Sequence, residues 1–331
     1  MASEVLLRGK QSSRFAATKR ERKLGNIEKI LKEIGELKLR RNAIILAHNY
    51  QIGETQDIAD FVGDSLELSR KAAATDAETL VFCGVLFMAE TAAILSPEKR
   101  VLLPDLRAGC PLADMISREA LNMLKEEHRQ APVVCYVNSS AEVKAESDIC
   151  CTSANARKVV DSLPQGKVIF VPDRNLGHWV ARSTDKQLVL WEGFCPTHEV
   201  LRREDVLKVK KAHPEAKFVA HPECLEEVLD LADEVASTSG ILSFARETSV
   251  RELIIGTETG MLHRLRKENP DKKFYPASEK MVCPNMKYHT LKKVRDSLKE
   301  MVHLIKVPEE IRVKAYESIN RMLDLKVGSK D

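Results

Sequence analysis

Aromatic residues and long apolar runs are both scarce in this 331-residue chain. Aromatic residues make up 5% of the chain, and no cluster of basic residues interleaves with them, so a surface that stacks nucleic-acid bases is not expected. No apolar run approaches the ~20 residues needed to cross a bilayer, and the start of the chain lacks the long apolar core of a secretory signal. These absences predict a cytoplasmic protein that binds neither nucleic acid nor membranes.

An excess of charge of one sign is also missing from the main part of the chain. The formal charge is +3, but residues 1–25 hold seven Lys/Arg and two Asp/Glu, which leaves about −2 for the remainder. We interpret residues 1–25 as a basic, flexible leader, with a targeting segment or an electrostatic arm as alternatives. The apolar content of 44% and charged content of 31% are typical of a folded chain long enough for two or three domains.

Eight cysteines are present, but they do not indicate a disulfide framework, because such frameworks are found mainly in small secreted folds. Three of them, Cys110, Cys195 and Cys283, are each followed by proline. The gaps between these three are 85 and 88 residues, which are nearly equal and far too wide for a local metal knuckle. The other five cysteines, none of which precedes proline, are Cys83, Cys135, Cys150, Cys151 and Cys224.

Short apolar runs alternate with helical patterns from Asn42 onward. This alternation is typical of parallel sheets with helices on both faces. Two helices are expected to close the chain between Thr290 and Leu325, the second beginning after a proline. The predicted buried strands are 43–47, 79–82, 100–103, 133–137, 168–171, 187–190, 218–220 and 252–255.

A second set of markers repeats with the same period as the Cys-Pro pairs. The motifs "AHNY", "CYVN" and "AHPE" each end a predicted strand, and from each a count of 15 residues reaches a hydroxyl residue. The three pairs are Tyr50 and Ser65, Asn138 and Ser153, and Glu223 and Thr238. Because the two sets of markers share one period, we predict three homologous units of about 85 residues.

The predicted fold class is α/β, with three homologous αβα three-layer domains related by pseudo-threefold symmetry around a central active site. Ligands of parallel sheets gather beyond the carboxyl ends of the strands, and all the marked segments follow strands. The first domain is expected to be joined by the C-terminal helices at 285–331. The predicted domains are 26–109, 110–194 and 195–284.

Three equivalent cysteines without a fourth suit a 4Fe-4S cluster that leaves one iron without a protein ligand. Such an iron is a Lewis acid and indicates dehydration chemistry. Zinc is an alternative, because it accepts three cysteines and one histidine, and His198 follows Cys195 by three residues. Buried structural cysteines are the remaining interpretation.

The hydroxyl residues and the strand ends give further candidates for the same centre. Ser65, Ser153 and Thr238 are either helix caps or anion ligands at helix N-termini. Side chains suited to proton transfer and carbonyl polarisation follow the strands, although a buried histidine is often a satisfied core residue. These residues are His48, Tyr50, Tyr136, Asn138, His221 and Glu223.

Six motifs in order resemble the quinolinate synthase family, which carries out the second step of de novo NAD biosynthesis. The resemblance runs from about Asn26 to the C-terminus and leaves out the basic leader. The motifs are "LAHNYQIGETQDIADFVGDSLELSR", "VFCGVLFMAETAAILSPEKRVLLPDLRAGCPLADM", "CYVNSSAEVKAESDICCTSANA", "GFCPTHE", "AHPEC" followed by "ASTSG", and "MVCPNMK".

The resemblance implies a triplicated αβα fold and an oxygen-labile 4Fe-4S cluster held by Cys110, Cys195 and Cys283 rather than by Cys83. It also implies a transferase-type condensation of iminoaspartate (iminosuccinate) with dihydroxyacetone phosphate, which gives quinolinate, phosphate and water. Aspartate oxidase or dehydrogenase would supply iminoaspartate, so functional coupling to such a partner is expected.

The resemblance assigns roles to individual residues as well. Tyr50 is the expected acid/base, with Glu223 and His48 as further catalytic candidates. The implied substrate-binding residues are His48, Ser65, Tyr136, Asn138, Ser153, His221, Glu223 and Thr238.

Two other functions remain open at this point. The reductive dehydratase that ends the non-mevalonate isoprenoid pathway also has three cysteines and three domains, but it would need a donor of two electrons. A non-catalytic binding protein stabilised by zinc is the alternative from another class, and metal analysis would separate it from the iron proteins.

Overall fold

The structure is a computed structural model that describes residues 25–325 and contains three parallel four-stranded sheets. The predicted α/β fold class is therefore confirmed. Nearly all of the predicted basic leader (1–24) and the end of the C-terminal segment (326–331) lie outside the described residues. Within 25–325, no helix is long and apolar enough to span a membrane.

The first sheet follows helix α1 (25–40). Its strands are β1 (Ala43–His48), β2 (Phe61–Gly63), β3 (Thr79–Cys83) and β4 (Arg100–Leu102), in the order β2-β1-β3-β4. The helices between these strands are α2 (Gly53–Ile58), α3 (Ser65–Ala74) and α4 (Leu86–Leu95). Strand β3 is buried along its whole length, as expected for a parallel sheet covered on both faces.

The second sheet repeats this strand order. Its strands are β5 (Val133–Tyr136), β6 (Ile149–Cys151), β7 (Lys167–Val171) and β8 (Gln187–Leu190), in the order β6-β5-β7-β8. The helices of this part are α5 (Arg118–Glu127), α6 (Ala141–Ala145), α7 (Ala156–Ser162) and α8 (Arg174–Ala181).

The third sheet has the same order again. Its strands are β9 (Lys217–Ala220), β10 (Glu234–Val235), β11 (Glu252–Gly256) and β12 (Lys273–Pro276), in the order β10-β9-β11-β12. The helices of this part are α9 (Pro196–Glu199), α10 (Arg203–Ala212), α11 (Glu226–Leu229), α12 (Thr238–Glu247) and α13 (Met261–Glu268). Four strands were not predicted as separate elements, namely β2, β6, β10 and β12.

One aspartate in each sheet ties the first strand to the connection that leads into the next strand. Its carboxylate accepts the backbone N–H of a residue 15 positions earlier in the first strand. This hydrogen bond satisfies that backbone donor. The bonds join Asp60 to Ile45 at 2.7 Å, Asp148 to Val133 at 2.7 Å and Asp233 to Phe218 at 2.8 Å. The three sheets therefore use one backbone support at equivalent places.

A lysine before the fourth strand of each sheet provides a second repeated support. Its ammonium group donates to backbone carbonyls at or just after the C-terminal end of an earlier helix, α3, α7 or α12, where the helix dipole favours a cation. The contacts run from Lys99 to Ala72 and Thr75, from Lys186 to Leu163 and Gln165, and from Lys272 to Ala245 and Thr248.

The two closing helices, α14 (Leu291–Glu300) and α15 (Glu309–Asp324), pack in different places. Val294 and Leu298 of α14 join the buried cluster formed by α1 and the first sheet. Helix α15 packs mainly against α6 and β6 of the second sheet and also against α4. The expected domain boundaries and the threefold relation between the domains stay predictions, and α15 contacts the second sheet more than the first.

Candidate functional site

The carboxyl ends of strands from all three sheets open onto one cavity of about 180 Å³. His48 ends β1, Tyr136 ends β5 and His221 directly follows β9. The cavity is lined by every residue singled out from the sequence as a candidate ligand or catalyst, namely His48, Tyr50, Ser65, Cys110, Tyr136, Asn138, Ser153, Cys195, His198, His221, Glu223, Thr238 and Cys283. The structure thus brings these side chains together, while their roles stay predictions.

The three Cys-Pro pairs each begin a short helical turn. Cys195 precedes α9 with Pro196 at its first position, and short 3-10 turns follow the other two pairs, at Ala113–Met115 and Asn285–Lys287. The turns direct backbone N–H groups at the sulfurs, from Leu112 and Ala113 to Cys110, from His198 to Cys195, and from Asn285 and Met286 to Cys283. Proline therefore starts a turn whose donors face the thiol.

The thiols that precede proline differ from the other five in their exposure. Cys110, Cys195 and Cys283 are partly exposed to the cavity, whereas the other cysteines are fully buried. Burial raises the pKa of Cys110 to about 12 and also raises the pKa of Cys195 and Cys283, although the turn N–H groups act in the opposite direction. A cation that binds here must therefore displace the thiol protons.

One set of donor atoms in the cavity is compact enough to hold a single metal ion. Within residues 25–325, a set of three metal-ligating atoms within 4.8 Å of one another is formed by Cys195, His198 and Glu223, and this set could hold a metal ion. Cys110 and Cys283 are outside it. The set includes Cys195 and His198, the pair named from the sequence as candidate zinc ligands, whereas Cys110, Cys195 and Cys283 are the candidate ligands of an iron-sulfur cluster.

A continuous chain of hydrogen bonds connects Tyr50 with Glu223, which both line the cavity, through Thr257 and His198. The hydroxyl oxygen of Tyr50 lies 2.6 Å from that of Thr257, which lies 2.9 Å from Nε2 of His198. Nδ1 of His198 lies 2.7 Å from a carboxylate oxygen of Glu223. Burial and the negative charge of Glu223 raise the pKa of Tyr50, so its phenol stays protonated near neutral pH.

Glu223 is ionised in spite of its burial. Burial opposes the charged form, but His198 and a hydrogen bond from Tyr136 lower the pKa of this carboxyl below its usual range. Its side chain is only 3% exposed. A buried carboxylate with several donors can accept and return a proton without solvent.

The two strand-end histidines are neutral and act as hydrogen-bond donors toward the cavity. Burial is the main cause that lowers the pKa of both His48 and His221 to about 3. Nδ1 of His48 accepts the backbone N–H of Tyr50 at 3.2 Å, and Nδ1 of His221 accepts that of Glu223 at 3.3 Å. The ring proton of each is therefore on Nε2, which in His221 lies 3.2 Å from Oγ of Ser153.

The structure contradicts the helix-cap interpretation of the three hydroxyl residues. Ser65 and Thr238 are the first residues of α3 and α12, and the caps are their neighbours Asp64 and Ser237. Ser153 lies in a turn before α7, whose N-cap position is Asn155. The three hydroxyls are consequently not used to cap helices, and anion binding by them remains a prediction.

Sequence reasoning missed a carboxylate that connects two parts of the site. Glu258 is fully buried and accepts the backbone N–H of Cys283 at 3.1 Å and that of Gly260 at 2.7 Å. Lys287 lies 2.8 Å from the same carboxylate and also donates to the backbone carbonyl of Tyr50. The residue could have been found by the repeat, because buried Asp173 follows β7 as Glu258 follows β11.

The ends of the parallel strands enclose thiol, imidazole and carboxylate groups in one cavity. This arrangement is typical of an α/β enzyme whose active site can hold a metal. The family model described as quinolinate synthetase A protein matches residues 32–324. The chain therefore belongs to the quinolinate synthetase A family, which confirms the resemblance seen in the sequence, and the chain is an enzyme.

Curated relatives agree with this assignment. The chain is 57% identical to the quinolinate synthase of Thermodesulfovibrio yellowstonii over 300 residues, which cover 90% of this chain and 99% of the relative. It is 61% identical over 296 residues to the quinolinate synthase of Dehalococcoides mccartyi strain CBDB1, with 89% and 98% covered. It is 58% identical over 298 residues to quinolinate synthase 1 of Methanosarcina acetivorans, with 90% and 98% covered.

Proposed function

We propose that this enzyme condenses iminoaspartate with dihydroxyacetone phosphate to give quinolinate, phosphate and water. The observation that carries the proposal is the cavity itself, in which one Cys-Pro turn from each part of the chain faces the strand-end donors. Membership of the quinolinate synthetase A family supports the reaction. Iminoaspartate would come from aspartate oxidase or dehydrogenase, and the eight free thiols favour a reducing, cytoplasmic setting.

Cys110, Cys195 and Cys283 are the residues that would hold a 4Fe-4S cluster. They border the cavity, and each faces the N–H groups of its own turn. Hydrogen bonds to ligand sulfurs are one way in which proteins adjust the reduction potential of such clusters. The cluster would supply a Lewis-acidic iron that assists the loss of hydroxide.

Both proposed substrates are anions, yet no lysine or arginine of the described chain lines the cavity. Neutral donors therefore hold the carboxylate and phosphate groups in our proposal. They include Nε2–H of His48 and the hydroxyls of Ser65, Ser153 and Thr238. Apolar side chains such as Phe87, Met88 and Leu112 form the rest of the wall and limit the water inside, which strengthens these hydrogen bonds.

Proton transfer is assigned to the chain that begins at Tyr50. A proton leaving substrate would be taken up by Tyr50 as its own proton moves through Thr257 to His198, whose other nitrogen faces Glu223. The ring of His48 lies against Tyr50 at a centroid distance of 4.5 Å and limits the positions of the phenol. Tyr136 and Asn138 both contact Glu223, so we assign them to substrate positioning beside this carboxylate.

An anaerobic assay for quinolinate tests the proposal. Purified protein with both substrates should form quinolinate without an added electron donor, and it should contain about four irons per chain. Serine at Cys110, Cys195 or Cys283 should abolish iron binding, whereas serine at Cys83, Cys135 or Cys224 should leave it in place. Zinc in place of iron, a requirement for two electrons, or iron loss in Cys83→Ser but not in Cys110→Ser would contradict the proposal.

A further inference from the structure

An arginine outside the cavity is connected to Thr238 through one asparagine. Arg264 on α13 donates from Nη1 to Oδ1 of Asn49 at 2.9 Å, and Nδ2 of Asn49 donates to Oγ1 of Thr238 at 3.1 Å. Asn49 is completely buried and directly follows β1, whereas Thr238 begins α12. The contact thus joins the first and third sheets at the edge of the cavity.

The order of donors and acceptors along this connection is fixed by chemistry. A guanidinium group only donates, so the amide oxygen of Asn49 must face Arg264 and the amide nitrogen must face Thr238. The oxygen of Thr238 is then an acceptor on that side. Its own hydrogen has to be donated elsewhere.

The hydroxyl hydrogen of Thr238 can be donated to a ligand in the cavity. Thr238 lines the cavity, and the N-terminus of α12 is capped by Ser237, which accepts the backbone N–H of Gly240. Ser153 has the same polarity, because its oxygen receives Nε2–H of His221. Two hydroxyls of the wall therefore each accept a hydrogen bond from a neighbouring side chain, which leaves their own hydrogens for the cavity.

Arg264 is itself held by several contacts. Its Nη1 also donates to the backbone carbonyl of Val62 at 2.7 Å, and its Nε lies 2.6 Å from Glu268. The ion pair with Glu268 offsets much of its charge, so a direct long-range attraction of anions is not its main effect. Its position is suited to orienting the amide of Asn49.

We propose that Asn49 and Arg264 are positioning residues that keep the hydroxyl of Thr238 turned toward the cavity as a donor to a carboxylate or phosphate group of the substrates. This inference rests on the proposed anion-binding role of Thr238. Neither residue touches the anion. They act by excluding the opposite orientation of the hydroxyl.

The substitution Asn49→Asp tests this orientation with little change in shape. A carboxylate still accepts from Arg264, but it cannot donate to Thr238, so the hydroxyl must turn and donate to the carboxylate. We expect the affinity for succinate, for inorganic phosphate, or for both to fall by at least ~10-fold in calorimetry, with unchanged iron content. The Michaelis constant should rise more than the turnover number falls.

A double-mutant cycle separates the orientation of the hydroxyl from the added charge. If the effect passes through the hydroxyl, Thr238→Val should weaken binding in the native background but add little to Asn49→Asp. Arg264→Lys keeps an obligatory donor and should retain binding, whereas Arg264→Met should lose it. Asn269→Asp at the C-cap of the same helix is the control, since the side chain of Asn269 donates to the carbonyl of Leu265 and lies outside the cavity.

The outcomes separate the anion-binding role of Thr238 from the positioning role of Asn49 and Arg264. Loss of succinate binding would assign the hydroxyl to a carboxylate, and loss of phosphate binding would assign it to a phosphate. Normal binding of both probes by Thr238→Val would overturn the anion role of Thr238 in the proposed function. Weak binding by Thr238→Val together with normal binding by Asn49→Asp, or fully additive losses, would overturn the positioning role alone.

Discussion

Glu258 accepts the backbone N–H of Cys283 at 3.1 Å, although the two residues are 25 positions apart. The same carboxylate is paired with Lys287, whose ammonium also reaches the backbone carbonyl of Tyr50. One partly buried ion pair therefore sets the turn of a proposed cluster ligand relative to the proposed acid/base. A substitution in this ion pair should therefore affect both Cys283 and Tyr50.

Glu258→Gln should destabilise the protein by about 2 to 4 kcal/mol, because it leaves Lys287 without its counter-ion beside a buried amide. The variant should also bind iron less completely, since the turn of Cys283 loses part of its support. Urea unfolding and iron analysis measure the two effects. Lys273→Met breaks an exposed pair with Glu252 and should change stability by less than about 1 kcal/mol. Equal losses in the two variants would contradict this role of Glu258.

Tyr50→Phe should keep iron and anion binding but lower turnover by about 10²- to 10⁴-fold, the usual range for one acid–base group. The substitution removes the first hydroxyl of the chain to Thr257 and leaves the ring in place. Anaerobic kinetics and calorimetry with succinate measure the two properties. Tyr275→Phe, which removes a hydroxyl bonded to Glu252 away from the cavity, is the matched control. Near-normal turnover of Tyr50→Phe would exclude the residue from proton transfer.

Ser65→Ala and Ser153→Ala should raise the Michaelis constant or impair turnover while leaving iron content and stability nearly unchanged. The physical reason is that neither hydroxyl caps a helix. Ser140→Ala is a useful comparison, because Ser140 caps α6 through the N–H of Val143 and its loss should cost about 1 kcal/mol. Activity losses that followed thermal destabilisation in all three variants would show that the serines are structural.

Acid stability should depend on Asp105, which receives hydrogen bonds from Arg107 and Lys293. The Arg107 guanidinium is the main cause that lowers the pKa of this carboxyl, and Lys293 adds to it. A folded pKa below the unfolded value of about 3.9 means that the stabilisation is complete above that pH and is lost as the pH falls below it.

Asp105→Asn should therefore be less stable than the native protein at neutral pH, and the difference should narrow as the pH falls toward about 3. Urea unfolding at several pH values measures this. Asp185→Asn, at an exposed position, is the control and should leave the curve unchanged. A constant difference between Asp105→Asn and the native protein at every pH would remove Asp105 from the acid transition.

Much of the scaffold and of the cavity could be predicted because both follow from local patterns that recur. The apolar runs of β1, β5 and β9 are followed at the same step by polar residues, and parallel strands bring such steps to one edge. The strands β2, β6 and β10 have only three, three and two residues, which is too short for a visible alternation of side chains. Pairing with a neighbouring strand defines them.

The site could be predicted from the sequence only in part, because some of its contacts join distant parts of the chain. Arg264 and Asn49 carry no local signal, because their importance comes from partners that are far away in sequence, and Glu258 is visible only through the repeat. The helix caps were misassigned by one position at Ser65 and Thr238, since the neighbouring Asp64 and Ser237 are equally suitable capping residues. Only the backbone geometry at the helix start distinguishes such neighbours.

The aspartates at 60, 148 and 233 repeat a support that does not touch the cavity. A symmetric trimer of one small subunit would place the same side chain three times around its axis. A single chain can keep the aspartate support in all three sheets and still place different side chains at the strand ends. His48, Tyr136 and His221 occupy one step, while Tyr50, Asn138 and Glu223 occupy another. Three similar sheets can thus present different side chains to two different substrates.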